Sequence, residues 1–144
     1  MSDAAFPRAQ TFQGSYDNLA NIAAFVRQAA QEAGLGDFAM YMVETAVDEA
    51  CSNIIEHAYG GEGKGEIQIT CEESPSALTI TIRDWGRPFD PDVIPDPEMH
   101  ADLEDLPGHG LGLFFIRKWM DEVRFNFSGE SNILTMVKRK EQQV

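Results

Sequence analysis

The chain of 144 residues is long enough for one domain and short for two. Its 43% hydrophobic and 24% charged residues exclude a disordered or collagen-like chain. Its 24 acidic against 11 basic side chains give a formal charge of −13, which repels phosphate backbones and anionic lipid, so neither nucleic acid nor a membrane is an expected partner.

Any phosphate ligand must be held against that field by local devices: a helix N-terminus, a glycine loop or a metal ion. No apolar run approaches the roughly 20 residues that span a bilayer. The start, Met1 to Pro7, lacks the basic and then apolar segments of a signal peptide. Cys51 and Cys71 are too few for a disulfide framework and read as small core hydrophobes. The expectation is a cytoplasmic, reduced, single domain over residues 1–144.

Residues 9–14 read as a short first strand. From Asp17 or Asn18, both suited to an N-cap, apolar residues recur at Leu19, Ile22, Ala23, Val26, Ala30 and Ala33. That spacing predicts a helix, ended by Gly34 and Gly36. A second helix is predicted from about Asp37 to Ala58, with the stripe Met40, Val43, Val47, Ala50, Ile54 and Ala58. Residues 65–72 alternate, with Ile67, Ile69 and Cys71 on one face. Leu78, Ile80 and Ile82 do the same after Ser74-Pro75-Ser76, so the two segments predict an antiparallel hairpin.

Residues 86–110 hold Pro88, Pro91, Pro95, Pro97 and Pro107, many acids and almost no periodicity. A stretch of this kind inside a domain reads as a lid or binding loop, here over about residues 90–110. Helical spacing returns at Leu111, Phe114, Phe115, Lys118 and Trp119, and residues 123–127 and 132–138 read as two closing strands. The order β-α-α-β-β-lid-α-β-β predicts an α/β (α+β) two-layer sandwich, with a mostly antiparallel mixed sheet and helices on one face.

Three segments carry chemistry. On the second helix, Glu49, Asn53 and His57 recur every fourth residue, so at about 40° of drift per step they share a face. Two readings stand: a solvated side of an amphipathic helix, or an acid and an amide lining a cleft. An Asn oxygen is a hard ligand suited to Mg²⁺, and a carboxylate can deprotonate a nucleophile. In the second segment, Asp84-Trp85-Gly86-Arg87-Pro88-Phe89, an apolar strand runs into an acid and a glycine. Asp84 can accept from an exocyclic amine and Gly86 lets backbone approach a flat ligand, but the same residues also make an ordinary turn. The third, Gly108-His109-Gly110-Leu111-Gly112-Leu113, runs into a helix. It reads either as a phosphate cradle of backbone N–H groups or as a hinge. It matches neither a Rossmann fingerprint nor a Walker A loop.

In this order the three segments resemble the nucleotide-binding boxes of the GHKL ATPase superfamily, which includes gyrase B, heat-shock chaperones and histidine kinases. Glu49 to Tyr59 looks like the N box, Asp84 to Phe89 the first glycine box, and Gly108 to Leu113 the second. With its His57-Ala58-Tyr59 ending, the chain is similar over residues 10–139 to the stand-alone serine kinases that act as anti-sigma factors in bacterial partner switching.

The resemblance implies the Bergerat (histidine-kinase-like ATPase) fold, with ATP and Mg²⁺ as cofactors. It implies Glu49 as the general base toward a serine hydroxyl, Asn53 as the Mg²⁺ ligand, and Asp84 at the adenine amino group. The nucleotide site would also take in His57, Gly86, Phe89, Gly108, His109, Gly110, Leu111 and Gly112. The implied partners are a small STAS-type antagonist, a sigma factor or other regulator, and a second copy of the chain, with the first strand and first helix as the dimer or sigma-docking surface.

Two departures stand out. Pro88 occupies a box that in the wider superfamily often holds a second glycine, and the lid is strongly acidic. Two other functions compete with the kinase reading. One is a non-catalytic ATP- or ADP-binding module that sequesters a partner. The other is a histidine-kinase-like phosphotransfer role, disfavoured because no upstream dimerisation helix with a phosphoacceptor His is apparent.

Overall fold

The computed structural model describes residues 6–89 and 116–140. Strand β1 (Arg8–Gln13) leads through a short 3₁₀ turn (Tyr16–Asn18) into helix α1 (Leu19–Glu32). The N-cap expectation changes in detail. Asn18 precedes α1, but its amide donates to the Gln13 carbonyl at 2.9 Å and its side-chain oxygen accepts from Asn21. It therefore ties the helix to β1 rather than capping a backbone N–H. Gly34, at φ +86°, ends α1, and the Leu35 N–H returns to the Ala30 carbonyl at 3.0 Å.

Helix α2 (Asp37–Asn53) is continued by a π turn over Ile54–Ala58. The sequence spacing predicts one α-helix across both. The difference is one of hydrogen-bond register, since the Tyr59 N–H reaches five residues back to the Ile54 carbonyl. Strands β2 (Glu66–Glu73) and β3 (Ala77–Asp84) form the predicted hairpin, and β4 (Glu122–Phe127) and β5 (Asn132–Arg139) form the second. Residues 116–119 are helical, at the end of the predicted third helix. The rest of that helix, and the lid, lie outside the described residues.

The five strands form one sheet in the order β1-β2-β3-β5-β4, and every pairing is antiparallel. Register follows from burying one face, since a slip of one residue would turn every inward side chain outward. Ile69 opposes Ile82, Ile80 opposes Met136 and Ile82 opposes Leu134. These side chains are buried together with Ile22 and Val26 of α1 and Val43, Ala46 and Val47 of α2. The alternate positions Thr70, Thr79, Thr81 and Thr135 are half-buried on the opposite face. The two helices thus lie on one side, as the alternation predicts. Small residues on both helices (Ala29, Ala30, Ala46, Ala50) are fully enclosed, which lets the two axes approach closely.

The same parity places one polar pair at the end of the sheet. Asp84, last in β3, opposes Asn132, first in β5, and both face inward. They stand where the sheet meets the end of α2, and this is where the site forms.

Ile80→Ala, at the centre of the packed face, is expected to lower unfolding free energy by about 3 kcal/mol. Thr81→Ala, its neighbour on the open face, is expected to change it by less than about 1 kcal/mol. Urea unfolding of both variants checks the assignment of faces.

Candidate functional site

Glu49 and Asn53 lie one helical turn apart on α2, as the sequence spacing predicts. Asn53 is 3% exposed, and its Oδ1 has no hydrogen-bond partner among the described residues. The Oε2 of Glu49 is buried and unpartnered in the same way. Buried polar atoms are nearly always satisfied, so two orphaned oxygens on successive turns of one helix mark a place built for something else. Both are acceptors. What satisfies them is a cation, a hydroxyl or a water.

Beside them a narrow cleft, about 20 Å³ in volume, opens between α2 and the far end of the sheet. Ala50, Asn53 and Ile54 line one wall, Phe125, Phe127 and Leu134 another, with Asp84, Asn132 and Phe89 between. It is an apolar slot with three polar side chains, the usual make-up of a small-molecule site. Glu49 does not line it, and Asn53 joins the two features.

Asp84 is held rather than free. Its Oδ1 accepts from the Gly86 N–H at 2.9 Å and from Asn132 Nδ2 at 2.8 Å, leaving Oδ2 for a ligand. Burial raises its pKa, and these two hydrogen bonds oppose the rise. Asn132 also donates to the Gly86 carbonyl at 3.0 Å, so one amide fixes both the acid and the turn after it. The sequence alone does not single out Asn132, which stands at the start of a predicted closing strand. Its signal was parity: Asn132 shares the inward face with Leu134 and Met136.

Gly86 is required by packing, because a Cβ there would sit 2.6 Å from the Ala58 carbonyl oxygen. His57 lies against Phe89, ring centroids 5.5 Å apart, so the π turn and the first glycine segment meet at the edge of the cleft. Glu49, Asn53, His57, Asp84, Gly86 and Phe89 therefore gather around the end of α2. Gly108, His109, Gly110, Leu111 and Gly112 lie outside the described residues.

Residues 12–138 match the family described as the histidine kinase-like ATPase domain. The chain belongs to this family. It is also 33% identical over 111 residues to the serine-protein kinase RsbW of Listeria innocua, a match covering 74% of this chain and 71% of that protein. With the RsbW proteins of Bacillus velezensis and Bacillus subtilis it shares 34% identity. Those matches cover 57% and 65% of this chain but only 54% and 61% of the relatives' lengths.

Among solved structures, the RsbU and RsbW domains of Rv1364c from Mycobacterium tuberculosis superpose with a TM-score of 0.66. The identity is 17%, over 92% of this chain and 32% of that one. The catalytic domain of histidine kinase ThkA superposes at 0.55, with 14% identity, over 92% of this chain and 96% of that one. At these identities the structural likeness speaks to the fold, which is the histidine-kinase-like ATPase fold. Among the described residues no helix is long and apolar enough to cross a membrane.

Burial and two neighbouring acids set the electrostatics of Glu49. The pKa of Glu49 rises from 4.5 to about 7, first through burial and then through the negative charges of Asp48 and Glu56. A carboxyl raised in the folded state binds its proton there at pH values where the unfolded chain has lost it. Its contribution to stability is thus full below about pH 4.5 and lost as the pH rises to about 7. Glu49→Gln removes this penalty. Its Tm is expected to exceed that of the wild type at pH 8 and to match it near pH 4.5; equal offsets at both pH values would contradict the shift.

Proposed function

We propose that the protein is an ATP-dependent serine/threonine protein kinase acting in the cytoplasm as an anti-sigma factor in a partner-switching system, phosphorylating a small STAS-type antagonist. The observation that carries this reading is the pair of orphaned buried oxygens, Glu49 Oε2 and Asn53 Oδ1, beside a cleft lined by Asp84. The names of the relatives supply the activity class; the geometry supplies roles for the residues.

Asp84 Oδ2 would accept from the adenine amino group while Asn132 holds the carboxyl in place through Oδ1. The apolar walls would enclose the base, with His57 and Phe89 at the edge. Asn53 Oδ1, a hard oxygen with no partner among the described residues, fits Mg²⁺. Held there, Mg²⁺ would supply the charge neutralisation that phosphoryl transfer requires. Gly108, Gly110 and Gly112, with His109 and Leu111, would complete the phosphate side.

Glu49, with a pKa of about 7, is suited to take the proton of a serine hydroxyl near neutral pH. Binding of the antagonist and of a sigma factor would be mutually exclusive, so that phosphorylation releases the one and permits the other. Among the described residues strand β1 borders only β2, and with α1 it would offer the surface on which a second copy pairs.

Purified protein, labelled ATP and a STAS-type antagonist test the proposal. The wild type is expected to transfer phosphate to a serine or threonine of the antagonist. Glu49→Ala should keep nucleotide affinity within about threefold while transfer falls by about 10²-fold or more. Asp84→Asn should instead weaken nucleotide binding by about 2 kcal/mol. Nucleotide binding by the wild type with no transfer would leave a passive, nucleotide-dependent sequestering module.

A further inference from the structure

Tyr59 stands where the π turn ends, and it touches three separate pieces of the chain. Its ring lies over Gly65 so closely that a Cβ at 65 would come within 2.2 Å of it. Its hydroxyl donates to the Glu66 carbonyl at 2.6 Å and accepts from the Trp85 N–H at 3.0 Å. Burial raises the phenol's pKa above its ordinary value, so the hydroxyl keeps its proton at neutral pH and makes both bonds at once.

The loop after Asp84 is tied down in sequence. The Trp85 N–H goes to Tyr59 Oη, the Gly86 N–H to Asp84 Oδ1, and the Arg87 N–H to the Ala58 carbonyl at 2.8 Å. Two of these three donors end on the dipeptide Ala58-Tyr59. That dipeptide closes the π turn that continues the helix carrying Asn53.

We infer that Tyr59 is a positioning residue of the nucleotide site, its phenol oxygen locking the loop that follows Asp84 to the π turn that continues the helix bearing Asn53. This rests on the nucleotide reading proposed above. Asp84 would meet the base and Asn53 the phosphate end, and this junction ties the backbone just after the one to the π turn just after the other. Without the hydroxyl, the Arg87–Ala58 bond is the one backbone hydrogen bond left between the loop and the π turn among the described residues. Trp85 is 45% exposed, so this stretch faces solvent and the fold persists while the loop loosens. The cost therefore falls on recognition of the base rather than on folding.

The experiment is calorimetric titration of wild type and Tyr59→Phe with ADP and with GDP. Tyr59→Phe is expected to weaken ADP binding about fivefold, the worth of one net hydrogen bond. GDP, whose base does not offer Asp84 an amino group in the same place, should bind with unchanged affinity. The ADP-to-GDP preference should fall by the same factor. A purely structural role would lower the number of binding-competent molecules and leave the preference intact, as would no role at all; either result overturns the inference.

If Tyr59→Phe does not fold, Gly65→Ala displaces the ring while keeping the hydroxyl, and the same loss of preference is expected. An unchanged preference in that variant overturns the inference equally. Absence of ADP binding by the wild type would instead overturn the nucleotide reading, and this inference with it.

Discussion

The π turn after α2 and the loop after β3 approach each other at Ala58 and Gly86 more closely than any side chain at 86 would permit. This contact sets how the helix layer sits on the sheet where, among the described residues, polar side chains are buried. Because the helix end is seated there, Asn53 comes to the same cleft as Asp84, and His57 comes against Phe89. The π turn belongs to the same arrangement. It gives the chain a wider last turn, from which Ala58 and Tyr59 reach the first glycine segment while Glu49 and Asn53 keep α-helical spacing above them.

Around this junction the molecule leaves some polar atoms satisfied and others bare. Asp84 is buried but braced by Asn132 and the Gly86 N–H, so its orientation is fixed before any ligand arrives. Asn53 Oδ1 and Glu49 Oε2 are buried without partners, which costs stability in the isolated domain. Pre-organised acceptors of this kind suit a ligand that brings its own cation and donors. The overall charge of −13 works against a phosphate ligand, so binding must come from short-range groups rather than long-range attraction.

Much of this was legible in the residues. The alternation at Ile67, Ile69 and Cys71, and at Leu78, Ile80 and Ile82, located the hairpin and the buried face, because a half-buried sheet imposes a period of two. The recurrence of Glu49 and Asn53 placed them on one helical face. What escaped was whatever depends on contacts between distant segments. A π turn has no composition signature, so residues 54–58 looked like more α-helix. Asn132 looked like one polar residue in a strand until pairing set it opposite Asp84. Tyr59 read as part of a helix-ending motif, because its partners Glu66 and Trp85 are 7 and 26 residues away. Side-chain caps failed for a related reason: Asn18 found a partner in β1.

The central claim is that the cleft between Asn53 and Asp84 is a nucleotide site completed by a divalent cation. Calorimetric titration of the wild-type protein with ATP and with ADP, each with and without Mg²⁺, tests it most directly. The account predicts saturable binding in the micromolar range that weakens markedly when Mg²⁺ is withheld. No heat of binding at millimolar nucleotide, or binding indifferent to Mg²⁺, would contradict it.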